Sequence, residues 1–314
     1  MDFSALIKKS FDTAWHNRVL WLFGFLSGGT GATVVNPGGG SGFNFQIPSS
    51  WEKPADKVSQ VLGITDSPTG NIDYNTILLI ILIVVLVVLI LVLIGIFISN
   101  WASAALVYSI LYRNKARPTF GVGARAGLKY WWKFWLLTAV LGMFILVFVL
   151  MLAIPGLLLF LAKMTPLLVV YAIIAVLIFI IAMFVIAVVG SLIISIAQRM
   201  IIHRGIGVLD SIKLSGGLIK KYLGESILTY VVAIGLNIGA GFVALIAMLP
   251  MGIILFIVFI ATMAAGGVWA ALVAAVVVGI PILILLFTAG GFWSAFNATY
   301  WTLFYEHLAS KEGW

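Results

Sequence analysis

The sequence predicts an all-α integral membrane protein with six transmembrane helices, arranged as three hairpin-like repeats with amphipathic surface helices on the cytoplasmic side. Three observations carry this prediction: the composition, the spacing of the long apolar runs, and the placement of the basic residues between them. Of the 314 residues, 63% are hydrophobic and 9% are charged, whereas a soluble domain carries about 25% charged residues. So few charges cannot cover the surface of a water-soluble protein of this length.

Five apolar runs reach the roughly 20 residues that a spanning helix needs. They cover residues 77–98, 134–162, 167–197, 226–249 and 268–289. A sixth run, 19–35, is less apolar and is interrupted by Gly24 and Gly28. The sequence leaves three interpretations of this run open: a full span, a re-entrant segment, or the apolar part of a signal peptide.

The basic residues favour the six-span interpretation. With a cytoplasmic N-terminus, all 18 lysines and arginines except Lys53, Lys57 and Lys163 fall in segments predicted to face the cytoplasm. Without the first span, Lys8 and Lys9 would lie on the opposite side from the other basic clusters. Basic residues concentrate in cytoplasmic loops, so both termini are predicted to be cytoplasmic.

The segment between the first two spans, residues 28–75, is predicted to be an external loop. It is rich in Gly, Ser, Asn and Pro. A loop of this length without regular structure is often functional, but it can equally be a disordered insertion, and the sequence does not decide between the two.

The chain divides into three similar units, residues 1–115, 116–206 and 207–314. Each unit is predicted to contain a basic amphipathic helix, a span, an external turn and a second span. The first and third units also end alike, since Trp101 and Tyr108 have the same spacing as Trp293 and Tyr300. One supersecondary unit therefore recurs along the chain.

The basic helices are predicted to lie at the membrane surface, with their apolar side toward the bilayer and their cations toward lipid phosphates. Their partners are therefore expected to be membrane lipids with anionic headgroups. The candidate headgroup contacts are Lys8, Lys9, Arg125, Lys129, Lys133, Lys213, Lys220 and Lys221.

The opening of the first span, from Trp15 to Gly24, and the basic segment before each span carry a resemblance to a known group. They resemble the membrane domain associated with glycerophosphoryl diester phosphodiesterases and related uncharacterised families of bacterial polytopic membrane proteins. The resemblance implies a multi-pass protein of the bacterial cytoplasmic (inner) membrane. The phosphodiesterase activity is not implied, because that catalytic domain is a separate soluble barrel with no counterpart here.

The sequence offers no catalytic constellation, and no cofactor is expected. It contains no cysteine, and its ten acidic residues all fall outside the predicted middle of the bilayer. His16, His203 and His307 lie near span ends without the spacing of a metal site. The aromatic and basic residues at 130–135 are typical of an interfacial belt, so no nucleic-acid partner is expected.

Polar amides near the spans are the remaining candidates for function. They either line a solute path or join helices by hydrogen bonds, and we favour helix joining. The four residues are Asn100, Gln198, Asn237 and Asn297. Gly235 and Gly239 form a GxxxG step, which indicates close helix packing within the chain or between chains.

The sequence thus predicts a non-enzymatic polytopic membrane protein. The favoured hypothesis is a scaffold or accessory subunit that interacts with anionic lipid and with a protein partner or a second copy of itself. The alternative is a carrier or channel for a small or lipid-like solute, with a path at the interfaces between repeats.

Overall fold

The computed structural model of the protein describes residues 2–28, 74–113, 118–163 and 165–314. Within these ranges it contains seven helices and no strand. The helices are α1 (Phe3–His16), α2 (Arg18–Gly28), α3 (Tyr74–Leu111), α4 (Phe120–Leu161), α5 (Thr165–Arg204), α6 (Val208–Lys221) and α7 (Leu223–Lys311). The predicted external loop lies outside the described residues except at its two ends.

Four helices, α3, α4, α5 and α7, are long and apolar enough to cross a membrane. Their apolar residues surround the helix on all sides, a pattern that suits a helix in lipid rather than one at the surface of a soluble protein. The described part of the chain is therefore all-helical, with four helices that could span a membrane. The short α2 is apolar but has only 11 residues, and the rest of the predicted run 19–35 lies outside the described ranges.

The longest helix, α7, consists of two antiparallel arms joined at Gly267. Gly267 has φ 75° and ψ −171°, a conformation that glycine adopts and that L-residues rarely do. The Trp293 indole Nε1 donates a hydrogen bond to Asn237 Oδ1 at 3.0 Å, and the Tyr300 hydroxyl donates to the Thr229 carbonyl at 2.9 Å. We call residues 223–266 the first arm and residues 268–311 the second arm.

Helices α4 and α5 form a second antiparallel pair. The Tyr171 hydroxyl of α5 donates to the Leu152 carbonyl of α4 at 2.5 Å. A Cβ placed on Gly156 would lie 3.2 Å from the Tyr171 ring, so the missing side chain admits the tyrosine. Pro155 does not end α4, which continues to Leu161.

The chain separates into two compact units, Met1–Gly40 with Ile96–Trp314, and Ser41–Gly95. The described part of the second unit is the N-terminal part of α3, where every side chain from Leu79 to Ile94 is exposed. The first unit contains all the other helices and the C-terminal part of α3.

The first unit is packed at one end of its long helices only. Almost all the buried residues lie in α1, α2 and α6, at the C-terminal ends of α3 and α5, in the N-terminal part of α4, and at the ends of the two α7 arms that are remote from Gly267. None of the described side chains from 139 to 189 is buried, and Ala271 alone is buried between 240 and 290. The apolar middle parts of α4, α5 and the two α7 arms therefore present almost their whole surface outward.

The basic segments of the three predicted units do not behave alike. Helices α1 and α6 are separate from the helices that follow, with breaks at Asn17 and Tyr222. The basic segment of the middle unit is not a separate surface helix, because α4 runs without interruption from Phe120 through the apolar segment. This segment has no proline to interrupt the helix, and two of its glycines, Gly123 and Gly127, lie in close contact with Phe23 and Trp101.

Candidate functional site

A buried arginine joins the packed ends of α5 and α7. Arg199 is only 3% exposed. Its Nε donates to Thr302 Oγ1 at 3.2 Å, its Nη2 donates to the Ala298 carbonyl at 3.1 Å, and its Nη1 donates to the Ser195 carbonyl. The planar guanidinium suits this role, because it presents several donors in fixed directions.

The charge of Arg199 has no carboxylate partner in the part of the chain that the structure describes. Removing a charge from water costs several kcal/mol unless an opposite charge or strong hydrogen bonds offset it. Ionisable residues inside membrane segments are rare, and those that occur often mark functional sites. A weak signal for Arg199 is present in the sequence, since this residue follows the apolar run 167–197 by two positions.

Two further polar contacts connect neighbouring helix ends to the second arm of α7. His203 Nδ1 lies 3.0 Å from the Tyr305 hydroxyl, one turn beyond Arg199. Arg113, two residues beyond the end of α3, donates two parallel hydrogen bonds to the Glu306 carboxylate, at 2.8 and 2.9 Å. The C-terminal ends of α3 and α5 are thus both tied to the second arm of α7.

Ion pairs connect the two ends of the α7 hairpin. Lys311 Nζ lies 2.5 Å from Glu225 Oε1, and Lys221 Nζ lies 2.6 Å from Glu312 Oε1. Hydrogen bonds from Lys221 and from the Tyr222 hydroxyl lower the pKa of Glu312. The stabilisation from this carboxylate is therefore present above the ordinary pKa of glutamate and is lost as pH falls through the lowered value.

None of the four predicted amides forms a hydrogen bond with another of the four. Asn100 is buried and donates to the Ile96 carbonyl of its own helix at 2.8 Å. Asn237 donates to the Ala233 carbonyl at 2.9 Å and accepts from Trp293, which joins the two α7 arms. Asn297 is buried and Gln198 is half-buried.

The predicted headgroup contacts fall into two groups. Lys133 donates to the Gly205 and Ile206 carbonyls at 3.3 and 3.1 Å, and Lys221 pairs with Glu312. The other six are exposed and form no ion pair with any described residue: Lys8, Lys9, Arg125, Lys129, Lys213 and Lys220.

Two of the aromatic clusters of the first unit include exposed rings. Phe292 of α7 meets Phe11, Trp15 and Trp21 edge-on, with ring centroids 5.3–5.6 Å apart. Phe11 and Trp15 are about half exposed. The second cluster is on α4, where Trp132 stacks on Trp135 at 4.7 Å. Clusters of this composition are typical of the membrane–water interface.

The closest helix crossing lies between α2 and the second arm of α7. A Cβ on Gly24 would lie 2.3 Å from the Gly291 carbonyl oxygen, and a Cβ on Gly291 would lie 2.3 Å from the Trp21 carbonyl oxygen. In contrast, no described atom outside their own helical backbone lies within 4 Å of a Cβ on Gly235 or Gly239. The GxxxG step is therefore not a packing site within the described chain.

The described residues contain no group of three His, Asp or Glu side chains placed to hold a metal ion. The hydrogen bonds between helices and the exposed lysines and arginines support two physical roles: holding helix ends together and presenting cations beside apolar and aromatic surface.

Comparison with known proteins gives one match. The model of a family of unknown function (DUF7544) matches residues 15–307. No curated protein and no solved structure matches the chain.

Proposed function

This chain belongs to the DUF7544 family of unknown function, and from the geometry of the site we propose that it is a non-enzymatic membrane scaffold or accessory subunit that interacts with anionic lipid. The observation that carries the proposal is the contrast between packed helix ends and unpacked apolar arms. The arms offer a long apolar surface to lipid or to the helices of a partner, while the packed ends hold them in place.

The exposed cations support the lipid part of the proposal. Six lysines and arginines lie at the packed end without a carboxylate partner among the described residues. Each cation near an anionic membrane surface contributes about 1 kcal/mol of attraction. The half-exposed Phe11 and Trp15 suit the same interface, because aromatic rings are enriched at headgroup level.

We extend the proposal to the topology: six spans in three related hairpins, with both termini in the cytoplasm of a bacterial inner membrane. The pairing of α4 with α5, and of the two α7 arms with each other, supports two of the hairpins. The distribution of basic residues supports the orientation. The resemblance to the phosphodiesterase-associated membrane domain also supports the bacterial location.

Purification in mild detergent tests the accessory role. We expect a protein of defined size to co-purify in constant ratio with the full-length chain, and to be released when large residues block one arm. Leu245 and Ile246 lie on the first arm and are 56% and 66% exposed, so Leu245→Trp with Ile246→Trp is the variant for this purpose. A stable monomer that holds only lipid would contradict the accessory role.

The second candidate function is a carrier for a lipid-like solute, and the exposed apolar arms favour it over an aqueous channel. A hydrated path needs polar side chains free to face the solute. The amides of Asn100 and Asn237 instead donate hydrogen bonds to backbone carbonyls, and Asn237 also accepts one from Trp293. Transfer of a fluorescent phospholipid between leaflets of proteoliposomes would support the carrier. Transfer at the rate of protein-free vesicles would exclude it.

A further inference from the structure

The uninterrupted α4 places cations, a tryptophan and an apolar stripe on one face of one helix. Arg125, Lys129, Trp132 and Leu136 are spaced by four, three and four residues, which puts them on the same face of a helix with 3.6 residues per turn. All four side chains are exposed, with Trp132 at 53% and Leu136 at 36%. The exposed Met143 continues the same face.

The length of this face matches one leaflet of a bilayer. Trp132 and Met143 are 11 residues apart, so they are separated by about 16 Å along the axis. One half of the hydrocarbon core is about 15 Å thick. Trp132 therefore falls at headgroup level when Met143 is near the bilayer middle, and the two cations lie about one and two turns further toward the headgroup phosphates.

The two cations of this face have no carboxylate partner among the described residues. Lys129 Nζ lies over the Tyr130 ring, 5.4 Å from its centroid, and this cation–π contact leaves the charge unneutralised. Arg125 and Lys129 form no ion pair with any described residue, and α4 itself contains no acidic residue. The third cation of the segment, Lys133, is already committed to the carbonyls of Gly205 and Ile206. That contact ties α4 to the segment before α6.

The tryptophan of this face is held in place before any lipid arrives. Trp132 stacks on Trp135 with centroids 4.7 Å apart and planes inclined by 23°. Trp131 lies 5.4 Å from Trp132 and 5.0 Å from Phe97 of α3. A rigid ring loses little conformational freedom on binding, which favours a defined lipid position over a diffuse one.

We propose that this face of α4 is a binding site for one anionic phospholipid. The phosphate-bearing headgroup lies at Arg125 and Lys129, the glycerol region packs on Trp132, and an acyl chain follows Leu136 toward Met143. The inference rests on the proposed lipid interaction, and it goes further by assigning a specific position, a headgroup charge and a chain length.

Native mass spectrometry of the full-length chain in detergent tests the site. The probes are dioleoylphosphatidylglycerol and dioleoylphosphatidylcholine. We expect wild type to retain the anionic lipid in preference to the zwitterionic one. Each cation is worth about fivefold in affinity, so the double variant Arg125→Gln/Lys129→Gln is expected to bind phosphatidylglycerol about 25-fold more weakly. The exchange variant Arg125→Lys/Lys129→Arg is expected to retain most of the binding.

The matched control is Arg18→Gln/Lys163→Gln. It removes one exposed arginine and one exposed lysine, neither of which is a candidate contact, and it makes the same change in net charge. We expect it to bind like wild type. Equal binding by the control and the α4 variant would overturn the site and leave the proposed function intact. No preference for phosphatidylglycerol in wild type would overturn both the site and the lipid part of the proposed function.

Two competitors test the occupant. Glycerol 3-phosphate shares the charged group but has no acyl chain, and dihexanoylphosphatidylglycerol has chains too short to reach Met143. We expect neither to displace the long-chain lipid at equal concentration. Displacement by glycerol 3-phosphate would mean that the cations bind a soluble phosphate ester, and displacement by the short-chain lipid would mean that the apolar stripe makes no contribution; either result overturns the proposal.

Discussion

A methyl group added at the closest helix crossing is expected to loosen α2 from α7. In Gly291→Ala the new Cβ would lie 2.3 Å from the Trp21 carbonyl oxygen and 3.2 Å from the Phe25 Cβ. The first contact involves backbone, so no side-chain rotation relieves it, and α2 must move outward by about 1 Å to restore ordinary contact. Overpacking of this kind costs about 1–3 kcal/mol.

The displacement also weakens hydrogen bonds that α2 makes with α7 and with α3. The Ser27 hydroxyl lies 3.2 Å from the Ser294 hydroxyl, and the Ser99 hydroxyl donates to the Ser27 carbonyl at 3.0 Å. Each interhelical hydrogen bond in a membrane protein contributes about 0.6 kcal/mol on average. The total expected loss for Gly291→Ala is therefore about 2–4 kcal/mol.

The neighbouring residue supplies the control. A Cβ on Gly290 meets nothing within 4 Å, so Gly290→Ala is expected to be neutral or to stabilise by up to about 1 kcal/mol. The assay is unfolding by sodium dodecyl sulfate in mixed micelles, followed by circular dichroism and tryptophan fluorescence. Equal midpoints for the two variants would refute the close crossing. Gly24→Ala added to Gly291→Ala should cost less than the sum of the two, because one outward movement relieves both contacts.

Three other outcomes are expected. In α6, Gly217→Ala should stabilise by about 1 kcal/mol in the same unfolding assay, because a Cβ there meets nothing within 4 Å and glycine is a poor helix former; a lower midpoint would contradict an exposed helical position. Arg199→Met should be neutral or stabilising, and Arg199→Lys should lose about 1–2 kcal/mol, because lysine cannot reach three acceptors at once; the reverse order would show that the charge itself stabilises the fold. Since the chain has no cysteine, single cysteines at the exposed Ala162 and Lys220 can be labelled without background, and opposite-side labelling is expected; labelling of both from one side would contradict the six-span topology.

The helical class and the long apolar helices could be predicted from sequence, because apolar length and charge distribution are local properties of the chain. The sequence could not predict which glycines pack against a neighbouring helix. Gly235 and Gly239 have the spacing of a packing motif but are exposed, whereas Gly24, first seen as an interruption of a span, makes the closest crossing. The spacing of small residues says that a helix can approach, and only the fold determines whether one does.

The contacts of the candidate site depend on the fold in a similar way, and lipid binding by the predicted cations stays a prediction. Asn237 does join helices, and the exposure of six of the eight predicted cations follows from their place on the polar faces of basic segments. The buried Arg199 was not singled out, because its position in the sequence suits a cytoplasmic cluster as well as a helix junction. Its burial depends on Ala298 and Thr302, about one hundred residues away.

The long helices have apolar parts that pack against few other residues. In the proposed spanning topology, this implies that the protein adapts to bilayers of different thickness without rearranging its core. At 42 residues, α4 is about 63 Å long, roughly twice the hydrocarbon thickness. A helix longer than the bilayer accommodates the mismatch by tilting, at a cost of fractions of a kcal/mol per Å. Few side-chain contacts oppose a tilt of the unpacked apolar parts of these helices. A thinner membrane is therefore expected to change their inclination, while the packed ends keep their arrangement.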